Sequence, residues 1–315
     1  MMRTSAPPRA PQGEAGFALI AVLWMMVGLS TLALAGTLAA RDAVSAATNR
    51  AELARASWAA EECLERARAA IAAELEEARD EGPDAPAWRG LDRAVAASPL
   101  VGACDLAMAP AGQLVDVNAA DGDALRRLFR AAGSGAARAD SLADALLDWR
   151  DADERPRPLG IEAAGYRALG RVPPRNGPLA DARELAGVRG FERAGGAETL
   201  LGVEPGRVWL DRAPPAVLAS LPGMTPEAVA RLQQLRSSGG APPLAVLADG
   251  LAPAARDALL RSYQELATLT TPVPDAWIVT ARARSGTPPV VAAVQVRLVR
   301  AATRAAVVRR RSWVE

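Results

Sequence analysis

The sequence predicts an α+β fold in which one long N-terminal helix packs on an antiparallel sheet and a large α-helical domain is inserted into that sheet. Three observations carry the prediction. An uncharged apolar run from Ala15 to Ala40 passes without Pro or turn signal into an amphipathic helical pattern. Strand-like segments are confined to a short block near residue 105 and to the last fifty or so residues. Between them lies a long stretch of helical pattern broken by Pro and Gly. With 315 residues, 50% hydrophobic and 23% charged, the chain can bury a real core in one large or two modest domains.

The first element is a spanning helix. Ala15 to Ala40 exceeds the roughly 20 apolar residues needed to cross the hydrocarbon layer. Ahead of it, Arg3 and Arg9 hold the short leader on the cytoplasmic side and send the rest of the chain across the membrane. Past the membrane, Leu53, Ala60, Leu64, Ile71 and Leu75 keep to one helical face, while Arg55, Glu62, Arg66 and Arg68 occupy the others. Glu62 and Arg66 are spaced to support the helix at i,i+4. Gly82-Pro83 stops it, so a single rod runs from the leader to that turn.

The water-exposed half of the rod needs a partner, and the strand-like segments supply one. Ala103 to Met108 reads as a strand, as do Glu265 to Thr271, Trp277 to Arg284, Val291 to Arg300 and Ala306 to Val314, with a turn at Ser285 to Pro289. Trp277, Val279, Ala281 and Ala283 fall on one face. Arg309-Arg310-Arg311 reads as charge protecting an exposed edge strand.

From Leu114 to Ser262 the reading is helical: Asp121 to Ala132, Ala139 to Arg150, Leu179 to Val188, Gly196 to Leu201, Pro214 to Ser220 and Pro226 to Arg236. Asn118 and Asp211 stand as caps for the helices behind them. The turn Leu221-Pro222-Gly223-Met224 folds two short helices back on each other. Such a module occurs in helix-hairpin-helix DNA-binding proteins, which need consecutive Gly N–H groups and nearby basic residues for phosphate. Here Pro226 has no N–H to offer and Glu227 follows it, so no nucleic acid partner is expected.

Composition removes whole classes of chemistry. All basic residues are Arg, and 37 of them against 36 acids leave a formal charge of +1, without the basic excess of a nucleic-acid binder. There is no His, which excludes Ser-His-Asp and Cys-His catalysis and the commonest zinc ligand, and no enzyme is expected. The two cysteines, Cys63 and Cys104, are compatible with a disulfide in an oxidising compartment and equally with two buried thiols. In the loop from Leu147 to Glu162, Asp151 and Asp153 precede two prolines and a Gly and are followed by Glu162. They gather carboxylates as a hard-cation site would, but the EF-hand spacing is absent. Spacing alone favours a solvated loop in which Arg150, Arg155 and Arg157 neutralise the acids.

Several of these features occur together in one order. Gly16-Phe17 resembles the type IV prepilin leader junction, with Glu14 where such leaders are basic or neutral. The fifth position after that junction is Ala21, where most of the superfamily has Glu. The loop D-W-R-D-A-D-E, the segments P-P-R-N-G-P-L-A-D-A-R-E-L and V-R-G-F, and L-D-x-A-P-x-x-L-x-x-L-P-G-M follow. Across essentially its whole length the chain is similar to the type II secretion minor pseudopilin K family. That resemblance implies a type IV pilin-like helix and sheet with an inserted sterile-alpha-motif-like (SAM-like) domain. The divisions are a leader over 1–16, a transmembrane half-helix over 17–40, a periplasmic half and first strand over 41–111, the insertion over 112–262 and the closing strands over 263–315. It also implies cleavage after Gly16 and methylation of Phe17 by a prepilin peptidase, and a place in the cell inner membrane with a periplasmic head. The expected partners are minor pseudopilins I and J and other pseudopilins, at the tip of the pseudopilus. Calcium in the insertion follows from the same resemblance, with Asp148, Asp151, Asp153 and Glu162 as its ligands. Ala163-Ala164-Gly165-Tyr166 supplies no further acid where the family usually has one. A membrane-anchored DNA-binding protein and a minor pilin of an adhesive type IV pilus are the alternatives.

Overall fold

The computed structural model describes residues 14–78, 86–102, 104–193, 195–301 and 304–314. Residues 1–13 of the leader, the Gly82-Pro83 stop and Ala103 lie outside the described residues.

The first helix, α1 (Glu14–Glu77), has 64 residues and so extends about 96 Å at 1.5 Å per residue. Its apolar half has an 18-residue window of mean hydropathy 2.3 and no buried residue, long and apolar enough to cross a membrane. In the second half Ala56, Ala60, Leu64, Ala67, Ala70, Ile71 and Leu75 are buried. Steps of three and four keep them on one stripe. Leu53, placed on the same stripe, is only half-buried. On the solvent side, Arg66 pairs with Glu62 as the spacing required.

After the rod come α2 (Pro86–Arg89) and α3 (Leu91–Ala97), two short helices that the sequence reading did not anticipate. Trp88, Leu91 and Val95 are buried against the rod. Strand β1 (Asp105–Pro110) follows, and then the chain leaves the sheet.

The excursion contains β2 (Val115–Asp116), α4 (Gly122–Ala131), α5 (Ala136–Arg150), α6 (Ala163–Ala168) and 3₁₀ turns at Ala182–Gly187, Phe191–Arg193 and Ala197–Leu200. It continues through β3 (Leu201–Gly202), β4 (Val208–Trp209), α7 (Pro215–Ala219), α8 (Pro226–Gly239), α9 (Leu244–Asp249), α10 (Pro253–Arg261), α11 (Tyr263–Leu269) and β5 (Thr270–Thr271). Leu125, Leu128, Phe129, Leu142, Leu146, Val217, Leu232 and Leu259 are among the residues of its own hydrophobic core. Three expectations are corrected here. Glu265 to Thr271 is not a strand: α11 takes most of it and buries Leu266 in the insertion's core, leaving two residues to pair with β4 in parallel. Asn118 does not cap α4, because it lies in a turn three residues too early. Its side chain instead bonds both the N–H and the carbonyl of Leu179 at 2.8 and 2.9 Å, and Asp121 is the cap. Asp211 does not cap α7, which opens with Pro215 and carries no side-chain cap; its carboxylate accepts from the Ala241 N–H.

The chain returns to the sheet with β6 (Ala276–Ser285), β7 (Val290–Ala301) and β8 (Arg304–Val314). The order is β1-β6-β7-β8, antiparallel throughout. The rod lies on one face, where Trp277, Val279 and Ala281 of β6 and Val294, Val296 and Leu298 of β7 meet Leu64, Ile71 and Leu75. The turn after β6 touches the rod near its middle, where Ser285 donates to Glu52. At the other end of β7, Leu298 lines a cavity with Ile71 and Glu76, and its partner across the ladder is Trp277. Since β1 ends at Pro110 opposite Trp277, the insertion both leaves and rejoins the sheet at the end of the rod away from its apolar half.

Edge strand β8 uses its arginines in alternation. Arg310 shares the rod's face and pairs with Glu61, whereas Arg309 and Arg311 lie 3.7 Å from Glu204 of the insertion, with Arg297 at 3.8 Å. The charges therefore tie the edge strand to both neighbours as well as marking it as an edge.

Candidate metal centre

Helix α5 brings the first acids inward. Asp144 and Asp148 are four residues apart on its buried face. Asp144 accepts from Arg126 at 2.8 Å and from the Leu159 N–H at 3.2 Å. The loop that follows doubles back over the end of α5, and Arg157 reaches both neighbouring acids. Its Nη1 donates to Asp148 at 2.6 Å and to Asp151 at 2.5 Å, and its backbone N–H lies 3.2 Å from Asp148. The fold-back needs a glycine, because a Cβ on Gly160 would stand 1.8 Å from Asp148 Oδ2.

Glu162 precedes α6 and closes the group. One oxygen from each of Asp148, Asp151 and Glu162 lies within 4.8 Å of the others. Asp148 is fully buried and Glu162 nearly so. Neither Glu162 oxygen has a hydrogen-bond partner, nor does Asp151 Oδ1. Burial, with the charges of Asp148 and Asp151 beside it, pushes the Glu162 carboxyl up to about 7. Tyr166 of α6 packs edge-to-face on Trp149 at 5.3 Å and accepts from the Arg189 N–H, which fixes α6 behind the acids.

Asp153 is not brought into this group: it is exposed, and its Oδ1 accepts from the Arg155 N–H at 2.8 Å. Nor do all three expected arginines neutralise the loop. Arg157 does, but Arg150 donates to the Val117 and Ala120 carbonyls instead. The sequence reading offered Arg157 only as one of three neutralisers and Gly160 only as part of the loop, since their roles depend on where the loop folds. With three carboxylates and one guanidinium ionised, two negative charges remain unbalanced in a buried place, and three carboxylate oxygens lack donors. An oxygen-ligated divalent cation such as calcium fits that donor set and that charge.

The other singled-out residues lie along the rod. The Gly16-Phe17 junction is within α1; Phe17 is 76% exposed, and Ala21 is exposed one turn further on. Cys63 of the rod is bonded to Cys104, just before β1, with the Cα atoms 5.6 Å apart. In the helical hairpin, Gly223 has φ +71°, and a Cβ there would meet the Ala258 carbonyl at 2.6 Å. The turn that a phosphate-binding hairpin would hold open is therefore backed by α10.

A rod with an apolar half, a sheet laid on its other half and a helical domain inserted in that sheet define a pilin-like subunit. Residues 104–198, which include the whole acidic loop, match the model of the family described as type II secretion system (T2SS), protein K. The resemblance to the type II secretion minor pseudopilin K family is thereby borne out. No curated protein sequence matches the chain. Among solved structures the fold is similar to a chain in the crystal structure of the GspK-GspI-GspJ complex from the enterotoxigenic Escherichia coli type 2 secretion system. The TM-score is 0.60 at 16% identity, covering 85% of this chain and 99% of that one.

Proposed function

We propose that this chain is the tip subunit of the type II secretion pseudopilus, a minor pseudopilin that caps and primes the filament for export of folded proteins across the outer membrane. The observation that carries this reading is the position of the insertion. Both of its junctions lie at the end of the rod away from the membrane, so its bulk stands where a further subunit would have to stack. Growth is then restricted to addition from below. The rod anchors the protein in the inner membrane, the head is periplasmic, and a prepilin peptidase cuts after Gly16 and methylates Phe17. The chain performs no catalysis.

Minor pseudopilins I and J are its partners, a reading supported by the fold shared with a chain of the GspK-GspI-GspJ complex. Other pseudopilins follow below them. Ala21 supports the tip position: a carboxylate there would have no neighbouring N-terminal amine above it to neutralise it in hydrocarbon. When calcium is bound, Asp148, Asp151 and Glu162 hold it and it cross-links α5, the loop and α6. Removal of residues 112–262 tests the steric idea. The truncated protein is expected to enter the membrane but to leave secretion defective and filaments uncapped. Normal secretion with capped filaments from the truncated protein would sink the proposal.

A further inference from the structure

A second charged site, apart from the acidic loop, lies at the joint between the rod-side helices and the insertion. Arg89 at the end of α2, Arg93 of α3, Arg212 after β4 and Arg236 in the last turn of α8 line one cavity of about 310 Å³, together with Trp209, Asp211 and Gly240. Among the described residues these four guanidinium groups meet only two carboxylates. Asp211 lies 3.5 Å from Arg89 Nε and is also occupied by the Ala241 N–H. Asp92 is taken by a two-pronged pairing with Arg212.

The excess is not simply a solvated face. Arg236 spends its Nη1 on the Ala213 carbonyl at 2.9 Å, but its Nε and Nη2 are buried without an acceptor. Arg89 Nε is likewise buried without a hydrogen bond. Burial, only partly offset by Asp211, pulls the Arg236 guanidinium below its ordinary value. Arg93 is exposed at the mouth, with no partner among the described residues. Arg212 is pinned, stacked over Trp209 at 5.1 Å and Trp277 at 5.8 Å. Donors left unmatched in a half-buried place favour a ligand with several acceptor oxygens, and planar guanidinium forks suit carboxylate and phosphate groups above all.

We propose that this cavity binds a compact multivalent oxyanion, a phosphate or a pair of carboxylates, held by Arg89, Arg93 and Arg236. Lipid headgroups are not its source. From Ala40 to the end of α1 the rod extends roughly 55 Å, and the site follows that end. The anion therefore comes from solution or is carried on a polypeptide as neighbouring acidic side chains. Because it would touch both α3 and α8, its arrival stiffens the joint on which the insertion is mounted.

Calorimetric titration of the full-length protein in neutral detergent tests this. Inorganic phosphate and a tetraglutamate peptide are the two probes, with sodium chloride matched for ionic strength. Saturable one-to-one binding of at least one probe is expected, weakened about tenfold in each of Arg93→Ala and Arg236→Gln. The Arg93 side chain makes no hydrogen bond or ion pair among the described residues, and an unchanged circular dichroism spectrum and unfolding temperature confirm that its variant is intact. Phosphate binding identifies a free anion as the source, and binding of the peptide alone identifies a polypeptide. Heat no greater than the chloride control for both probes, or equal affinity in wild type and in a folded Arg93→Ala variant, overturns the proposal.

Discussion

Glu162 is buried beside Asp148 and Asp151 with both oxygens unpartnered, so its charge state governs the acidic loop. Its carboxyl is raised from 4.5 to about 7 by burial and its neighbours. In the metal-free protein the folded state therefore holds more protons than the unfolded chain between those values, and stability falls as pH rises through that window. Calcium should reverse this at pH 8, adding about 2.7 kcal/mol at roughly 100 times its Kd. Thermal unfolding in chelator and in calcium, at pH 5 and pH 8, measures both effects, and Glu162→Gln should abolish both. A calcium response that survives in Glu162→Gln would remove this residue from the ligand set. The acids of this loop were legible in the sequence as acids. Arg157 was legible only as one of three candidate neutralisers, because nothing in its spacing says that it bonds Asp148 and Asp151 at once. Asp153 has the same residue type and neighbourhood as Asp151, yet the turn points it to solvent.

At the level of elements, the joint between insertion and body rests on Trp209. It belongs to β4, yet it is buried in the body's core, edge-to-face with Trp277 at 6.0 Å and donating to the Pro272 carbonyl at 3.0 Å. Trp277 in turn donates to the Trp88 carbonyl, so three tryptophans from distant parts of the chain close one layer. Trp209→Ala should cost about 3–5 kcal/mol in denaturant unfolding, as large-to-small core changes do. A cost below about 1 kcal/mol would show that the joint is held elsewhere. The Cys63–Cys104 bond constrains a second joint, between rod and β1, across a separation of 41 residues. By chain entropy alone its removal costs up to about 4 kcal/mol, measurable by comparing Cys63→Ser/Cys104→Ser with the oxidised protein. Equal unfolding midpoints would show that the described pairing adds nothing to stability. Among elements, the rod and β6 to β8 were readable because periods of 3.6 and 2 were each sustained over many residues. Helices α9 and α10 were readable in principle, since a proline marks each start: Pro243 stands immediately before α9 and Pro253 is the first residue of α10.

For the whole molecule the governing feature is where bulk is placed along a rod about 96 Å long. An apolar half without a buried face, a sheet on the other half and an insertion beyond the sheet suit a subunit that others join from one side only. Ala21→Glu tests the membrane end of that arrangement. A carboxylate in the apolar run without a partner is costly, up to about 2.5–3.5 kcal/mol at the helix centre on insertion scales and less at Ala21 nearer the end of the run, so the variant should assemble poorly at the tip, scored by crosslinking to its neighbours and by secretion. Unchanged assembly would show the missing charge at that position to be incidental. The sequence by itself determined the rod, its two environments and the strands that cover it, because apolar periodicity is a local property and a spanning segment has no alternative to a helix. Only the tertiary structure decided that Trp209 joins the body, that Arg157 serves two acids, that Glu204 meets three arginines and that four more arginines converge on one cavity. Apart from those of Arg157, which depend on how one loop folds back, these contacts link residues far apart in the chain, and their existence depends on how elements pack rather than on any pattern within one of them.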